Sequence, residues 1–305
     1  MTFFSRLTAS LLIFGSLAIG APGFLFAEGR QLIFGRVQDD PVRAIQDRQE
    51  FVDYIAKKLA PLGISGGRIS VFDKIHLLTQ AVREGRVDFF HDSIVPVMVV
   101  AHATGAVPIL RQWKYSEAEY ESVIIVKKNS GIESLTDLRG KVIAFEEPHS
   151  TSASVLPRML LEEKKLKLVQ LQSPGPVKPD VIGYVYSGDG NSHNFLITGK
   201  ADAAATTLRE IDRLKPEIRD GLQVIAKSES VPRLLIAVRK DLDPRITAAL
   251  KEIMLNMDQS AEGQGVLKRQ QNTTKIDAIP QASHKRLANI EKFVFSSLGK
   301  EVDSW

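Results

Sequence analysis

The 305-residue chain is 44% apolar and 25% charged, ordinary values for a globular protein with a real core, and disorder is not indicated. Its 40 Lys/Arg and 36 Asp/Glu leave a net charge of +4 with the signs interspersed, which disfavours nucleic acid as a partner. Cysteine is missing altogether, which excludes disulfides, thiolate catalysis, cysteine-held metals and a lipoprotein anchor.

The chain opens with MTFFSRLTASLLIFGSLAIGAPGFLFAEG, in which one cation (Arg6) precedes an apolar run from Leu7 to Ile19 and a breaker cluster from Gly20 to Gly23. That order predicts a signal peptide over residues 1–27, cleaved after Ala27. A membrane anchor is the alternative, but the run is short of the roughly 20 residues a span requires and Pro22-Gly23 interrupts it. No later segment is apolar enough to span a bilayer. The expected product is a soluble periplasmic protein.

After this leader, Gln31–Val37 reads as a strand. A helix follows with Phe51, Ile55 and Leu59 on one face, ended by Pro61-Leu62-Gly63. Arg68–Phe72 reads as a second strand, and Ile75, Leu78 and Val82 mark a helix closed by Gly85. Val87–Phe90 is a third strand. This alternation predicts an α/β fold with mostly parallel sheets. The β-branched run Glu121–Lys128 comes next, then a short helix with capping-box spacing from Ser134 to Asp137, stopped by Gly140. Further strands are expected at Val142–Phe145, Val181–Tyr186, Leu222–Ala226 and Leu234–Val238. Asp243-Pro244 starts one helix and Ser283 to Leu298 forms the last.

A weak internal repeat supports two similar lobes. Gly85-Arg86-Val87-Asp88 matches Gly199-Lys200-Ala201-Asp202, in each case a helix-ending glycine, a cation, and a strand opened by Asp. The expected division is 28–120 plus 210–305 for lobe one and 121–209 for lobe two, with two crossings and a ligand cleft between.

The most chemically suggestive stretch is KVIAFEEPHSTSASVLPRMLL, residues 141–161. A buried strand, a polar loop and the triplet Ser150-Thr151-Ser152 lead into a helix. A helix N-terminus carries unpaired N–H groups and a positive dipole end, so three hydroxyls there form a ready anion site. The alternative is that one hydroxyl simply caps the helix. The six histidines show no metal-ligand spacing, and no P-loop, G-x-S-x-G elbow or G-x-G-x-x-G occurs. Ser150–Ser152 beside His149 do not form a convincing nucleophile–base pair, because neighbours on a turn seldom face each other. Glu146-Glu147 near a strand end face opposite ways and do not read as an acid/base pair. No catalytic residue, cofactor or metal is expected.

Tyr120-x-Ser122, IVKKNSGIESLTDLRGKVIAF and P-x-STS-x-x-x-x-PR resemble the substrate-binding proteins of phosphate, phosphite and phosphonate ABC importers. The likeness is dense from Tyr120 to Leu161 and looser from about Gln31 to Met257. It implies a two-lobe type II periplasmic-binding fold with two hinge crossings, a monomer that binds a small oxyanion, and transient docking on an ABC permease. The ligand site implied is the Ser150, Thr151 and Ser152 hydroxyls, their amides, and the Tyr120 phenol. A sensing subunit of a membrane kinase would need the same cleft and is the alternative.

The departures from that pattern are informative. The family's first-lobe Tyr is missing from Phe72-Asp73-Lys74-Ile75, its Gly-His pair is Gly188-Asp189, and its Trp-Tyr/Phe-Gly strand end is His91-Asp92-Ser93. Carboxylates that hold an amino group are replaced by Arg209 and Leu234. An aminoalkylphosphonate is therefore not expected. Asp189 is read as a ligand-binding residue that takes a proton from the ligand, with Arg209 or Arg36 offsetting its charge.

Overall fold

The computed structural model describes residues 29–305, so the predicted signal peptide lies outside the described residues. The first four strands are β1 (Arg30–Val37), β2 (Ile64–Phe72), β3 (Phe89–Asp92) and β4 (Val107–Gln112). Then come β5 (Glu119–Tyr120), β6 (Val123–Lys127), β7 (Val142–Phe145), β8 (Leu168–Gln170), β9 (Ile182–Tyr186) and β10 (Ala203–Thr206). The chain returns through β11 (Leu222–Lys227), β12 (Val231–Pro232), β13 (Leu234–Val238) and β14 (Ile276–Asp277). One sheet has the order β14-β4-β13-β3-β1-β2 and the other β11-β6-β10-β7-β9-β8. Both are mixed: β1, β2 and β3 run parallel, as do β10, β7, β9 and β8, while β13, β4 and β6 are antiparallel to their neighbours. This is the α/β two-lobe architecture of periplasmic binding proteins.

The lobes join at a two-stranded ribbon in which β5 pairs with β12, Tyr120 opposite Val231. Because β11 pairs with β6, the stretch 210–227 stays with the second sheet and the return crossing falls at β12, not at 209/210 as expected. The apolar run of β11 reads as a strand in either lobe, and only its partner decides which.

The repeat is structural. Asp88 donates its N–H to the Ile33 carbonyl (2.9 Å) and its carboxylate accepts from the Ile33 amide (2.8 Å). Asp202 does the same with Val142 across β7, at 2.8 Å in both directions. Gly85 and Gly199 both have left-handed backbone, φ +71° and +75°, as a helix-ending turn demands. Each Asp thus locks the start of an inner parallel strand to its neighbour. The two copies differ in surroundings: Asp88 is buried and takes Arg30 and Arg239 as ion partners (3.0 and 3.2 Å), whereas Asp202 is exposed.

The helix Ile94–Thr104 was not anticipated from sequence. Its residues from Ile94 to Val100 are all buried, so it has no polar face to reveal a helical period, and Pro96 falls in the first turn where a missing N–H costs little. It packs under the C-terminal helix Gln281–Ser297 in one apolar cluster that also takes in Val155 and Leu156 of the second lobe.

Asp88→Ala should lower stability by about 3 kcal/mol, because it strands a buried amide and two arginines, and Asp202→Ala by about 1 kcal/mol. Urea unfolding of both variants checks the ratio; equal losses would show that the ion partners of Asp88 contribute nothing.

Candidate ligand-binding site

The parallel strands β1, β3, β7 and β9 all point their carboxyl ends into the space between the lobes, the place where open α/β sheets bind ligands. From β7 the chain passes Glu146 to His149 and enters the helix Thr151–Glu163. The helix starts with a wide turn in which the Val155 amide reaches back five residues to the Ser150 carbonyl (2.9 Å). From β3 it passes Ser93 into Ile94–Thr104. Two helix N-termini therefore face each other, one from each lobe.

They are joined by a single bond: the Val95 amide donates to Thr151 Oγ1 at 3.0 Å, with Thr151 only 1% exposed. Thr151 keeps its hydroxyl proton for a further acceptor. Ser152 lies next to the Tyr120 phenol, which burial raises above its ordinary pKa against the nearby Arg233 cation, so Tyr120 stays a neutral donor. The Thr151 and Ser152 amides find no acceptor among the described residues. Ser150 has a different part. Its Oγ accepts from the Ala153 amide (3.2 Å) and donates to Glu146 Oε2 (3.2 Å), so it is the helix cap. The capping reading thus falls to Ser150 alone.

Asp189 is exposed, on the loop after β9. The carboxylate that burial sets beside the triplet is Glu146, pushed up to about 7 by desolvation and then by Asp189, with the Ser150 bond opposing. Arg209 does not reach the triplet. Its guanidinium stacks 3.9 Å from the Tyr115 ring and pairs with Glu117 at 3.8 Å, at the hinge. A recess there, lined by Tyr120, Glu117, Glu119, Glu121 and Arg209, carries three carboxylates and is the wrong charge for an anion. The structure thus gathers Tyr120, Ser150, Thr151 and Ser152, and leaves Asp189 at the rim and Arg209 at the hinge.

The lobe-one side of the cleft is basic. Arg36 at the end of β1 donates to Asp92 Oδ2 (2.6 Å) and to the His91 carbonyl (3.2 Å). Arg48, 1% exposed, donates to His91 Nε2 (3.3 Å), and His91 in turn meets Gln112 Oε1 at 2.7 Å. Burial and the adjacent Arg48 and Arg36 hold His91 neutral, well below its usual range. Lys114, just past β4, is depressed to about 8 by burial and then by Arg233 and Arg36. Arg233 lies 4.2 Å over the Tyr120 ring. Lys114 and Arg48 were not picked out from sequence, since an isolated cation carries no signal until its neighbours are known. His149 is held below its usual pKa by burial, and Ser150 donates to Glu146 rather than to it, so no Ser–His pair forms. No group of three or more His, Asp or Glu is placed to hold a metal among the described residues, and no described helix is long and apolar enough to cross a membrane.

The family model for the periplasmic substrate-binding protein of phosphonate ABC transporters matches residues 37–283. The chain belongs to this family. Its members are binding proteins rather than enzymes. It is 26% identical over 200 residues to the phosphonates-binding periplasmic protein of Escherichia coli, covering 63% of this chain and 56% of that protein. It thus spans little more than half the length of this curated relative. In structure it is similar to XAC2383 from Xanthomonas citri bound to ATP, with TM-score 0.81, 22% identity, and 90% of this chain and 98% of that one covered. It is also similar to PhnD1 from Prochlorococcus marinus in complex with methylphosphonate, with TM-score 0.63, 17% identity, and coverage of 89% and 99%. At these identities the structural likeness carries the fold.

Glu146 gives a stability prediction. Its folded pKa lies above the ordinary 4.5, so the native state holds more protons between pH 4.5 and about 7, and stability falls as pH rises through that window. The loss should be on the order of 2 kcal/mol, and Glu146→Gln should abolish it. Urea unfolding at pH 5 and pH 8 measures both; a wild-type curve as flat as the variant's would contradict the burial argument.

Proposed function

We propose that the protein is the periplasmic solute-binding component of an ABC importer, and that it holds a small phosphorus oxyanion of the phosphate, phosphite or phosphonate class between its lobes. The observation that carries this is the Val95 amide on Thr151 Oγ1 at 3.0 Å, which sets two helix N-termini against each other around the Thr151 and Ser152 donors. Facing positive dipole ends favour an anion between them, and charge-assisted bonds from hydroxyls and amides are the stronger kind. The Tyr120 phenol adds a neutral donor from the crossing. Family membership supports the transport role, and the phosphonate and nucleotide ligands of the two structural relatives support a phosphorus oxyanion. The ligand closes the lobes by hinge motion, and the closed form is what an inner-membrane permease recognises. The protein acts as a monomer, and its export to the periplasm rests on residues 1–27.

A thermal-shift panel of phosphate, phosphite, methylphosphonate, ATP and sulfate tests the assignment, since a true ligand stabilises by RT ln(1 + [L]/Kd). At least one phosphorus oxyanion should raise Tm in a concentration-dependent way. Thr151→Val, which keeps the shape and removes the hydroxyl, should weaken that ligand roughly tenfold or more, the value of one charged hydrogen bond. A panel with no shift for any phosphorus oxyanion would exclude the ligand class.

A further inference from the structure

We infer that the lobe-one wall of the cleft is a second anion subsite, built by Arg36, Lys114 and Arg233, and that the ligand is a compact phosphorus compound carrying a second anionic group. This rests on the reading that Thr151, Ser152 and Tyr120 hold the first oxyanion.

The wall carries one unpaired charge and two unfilled buried donors. The Lys114 ammonium makes no hydrogen bond or ion pair among the described residues and lies over the Tyr115 ring, 5.0 Å from the centroid. The charges that act on it most are Arg233 and Arg36, which oppose its protonation, and then Asp92, which favours it. The Arg36 side chain is 17% exposed and its Nε is buried with no acceptor among the described residues, although Nη1 is bound to Asp92. The Arg233 side chain is 12% exposed. Its Nε is likewise unpaired, because the nearest carboxylate, Glu117 at 3.4 Å, lies off the N–H direction. Arg36 pairs with Asp92, Arg48 lies 3.9 Å from Asp47, and Arg209 and Arg233 share Glu117, so among the described residues Lys114 is the one of these five cations without an acid partner.

A buried cation without a counter-charge is expensive, and clustering like charges adds repulsion. The arginines each lie beside an acid, so what the wall leaves unfilled is the Lys114 ammonium and the buried Nε–H groups of Arg36 and Arg233. An anion lodged against these three side chains satisfies the free Nε–H groups and the Lys114 ammonium together, and the planar edge of an arginine suits a carboxylate or phosphoryl group. Tyr120 sets the spacing: its phenol faces Ser152 and Thr151 while Arg233 covers its ring face at 4.2 Å. The two subsites lie on either side of one tyrosine, so the two anionic groups sit close together. A lone methylphosphonate on Thr151 and Ser152 leaves the basic wall unmatched.

Isothermal titration calorimetry with phosphate and methylphosphonate, set against phosphonoacetate and methylenediphosphonate, tests this. The compounds with two anionic groups should bind at least tenfold tighter than methylphosphonate. Lys114→Gln and Arg233→Gln should each bring that ratio down toward one, and Thr151→Val should weaken all four compounds. Lys114→Gln relieves repulsion and breaks no bond, so it should fold at least as well as wild type, and a thermal melt confirms this. Methylphosphonate binding as tightly as the others, or a preference that survives both neutralising variants, would overturn the second subsite and leave the oxyanion reading intact. Failure of all four to bind would overturn both.

Discussion

The bond from the Val95 amide to Thr151 Oγ1 governs how the two halves meet. It draws together two helix N-termini, each carrying roughly half a positive charge at its end, which by electrostatics alone should repel. Two other contacts oppose that repulsion. One is apolar: Val155 and Leu156, one turn into the second-lobe helix, join the first-lobe cluster of Ile94, Val97, Met98 and Leu298. The other is ionic: Arg158, another turn on, makes a bidentate pair with Glu301 at 2.9 and 2.7 Å. An anion placed between the helix ends turns the one unfavourable contact into a favourable one.

Arg158 and Glu301 show how far this coupling extends. Tyr186 at the end of β9 donates to Glu301 Oε2 at 3.2 Å and accepts from Arg158 Nη1 at 3.1 Å, so a strand end, a helix and the C-terminal segment share one network. Burial raises the Tyr186 phenol far above its usual range, which keeps it a donor, and Arg158 holds Glu301 below the usual carboxylate range. The segment bearing Glu301 is itself fixed to lobe one through Leu298, Val302 and the buried Trp305, whose carbonyl accepts from the His76 amide at 2.9 Å. One helix of the second lobe therefore grips the first lobe near its start and again along its length. Rotation about the hinge has to break both grips together.

Much of this was legible in the sequence where a residue's meaning is local. Gly85, Gly140 and Gly199 end turns because only glycine takes their left-handed backbone cheaply, and Ser134 with Asp137 forms the capping box its spacing announces. Val142–Phe145 and Leu234–Val238 are strands with the bounds their β-branched runs suggested. Meaning set by distant partners was not legible. The helix Ile94–Thr104 is buried throughout Ile94–Val100 and so shows no period there. The short β4 carries little strand signal because its alternation is broken by Pro108. Glu146 carries no local signal before the fold places Ser150 and Asp189 against it, and nothing local announces that Arg209 stacks on Tyr115 beside Glu117.

The hinge explains why Arg209 belongs there. The first crossing opens with Tyr115 and Ser116, both with left-handed backbone at φ 58° and 66°, a conformation that costs energy for residues other than glycine. The Tyr115 amide is tethered to the Gln271 carbonyl at 3.2 Å, and Gln271 and Asn272 are left-handed as well. Such a turn persists only if its side chains are held. Arg209 and Arg233 hold them, stacking on Tyr115 from the second lobe and from the return crossing, with Glu117 between the two guanidiniums. In the family pattern that the sequence resembles, carboxylates receive a ligand's amino group at the positions of Arg209 and Leu234. Here one position supports the hinge and the other is sealed inside β13, 5% exposed. With those acids gone and Arg36, Lys114 and Arg233 along the first-lobe wall, the proposed site would prefer an anionic group to an ammonium. An ammonium group that the family pattern would welcome meets cations in this cleft, and an anionic group meets unpaired donors.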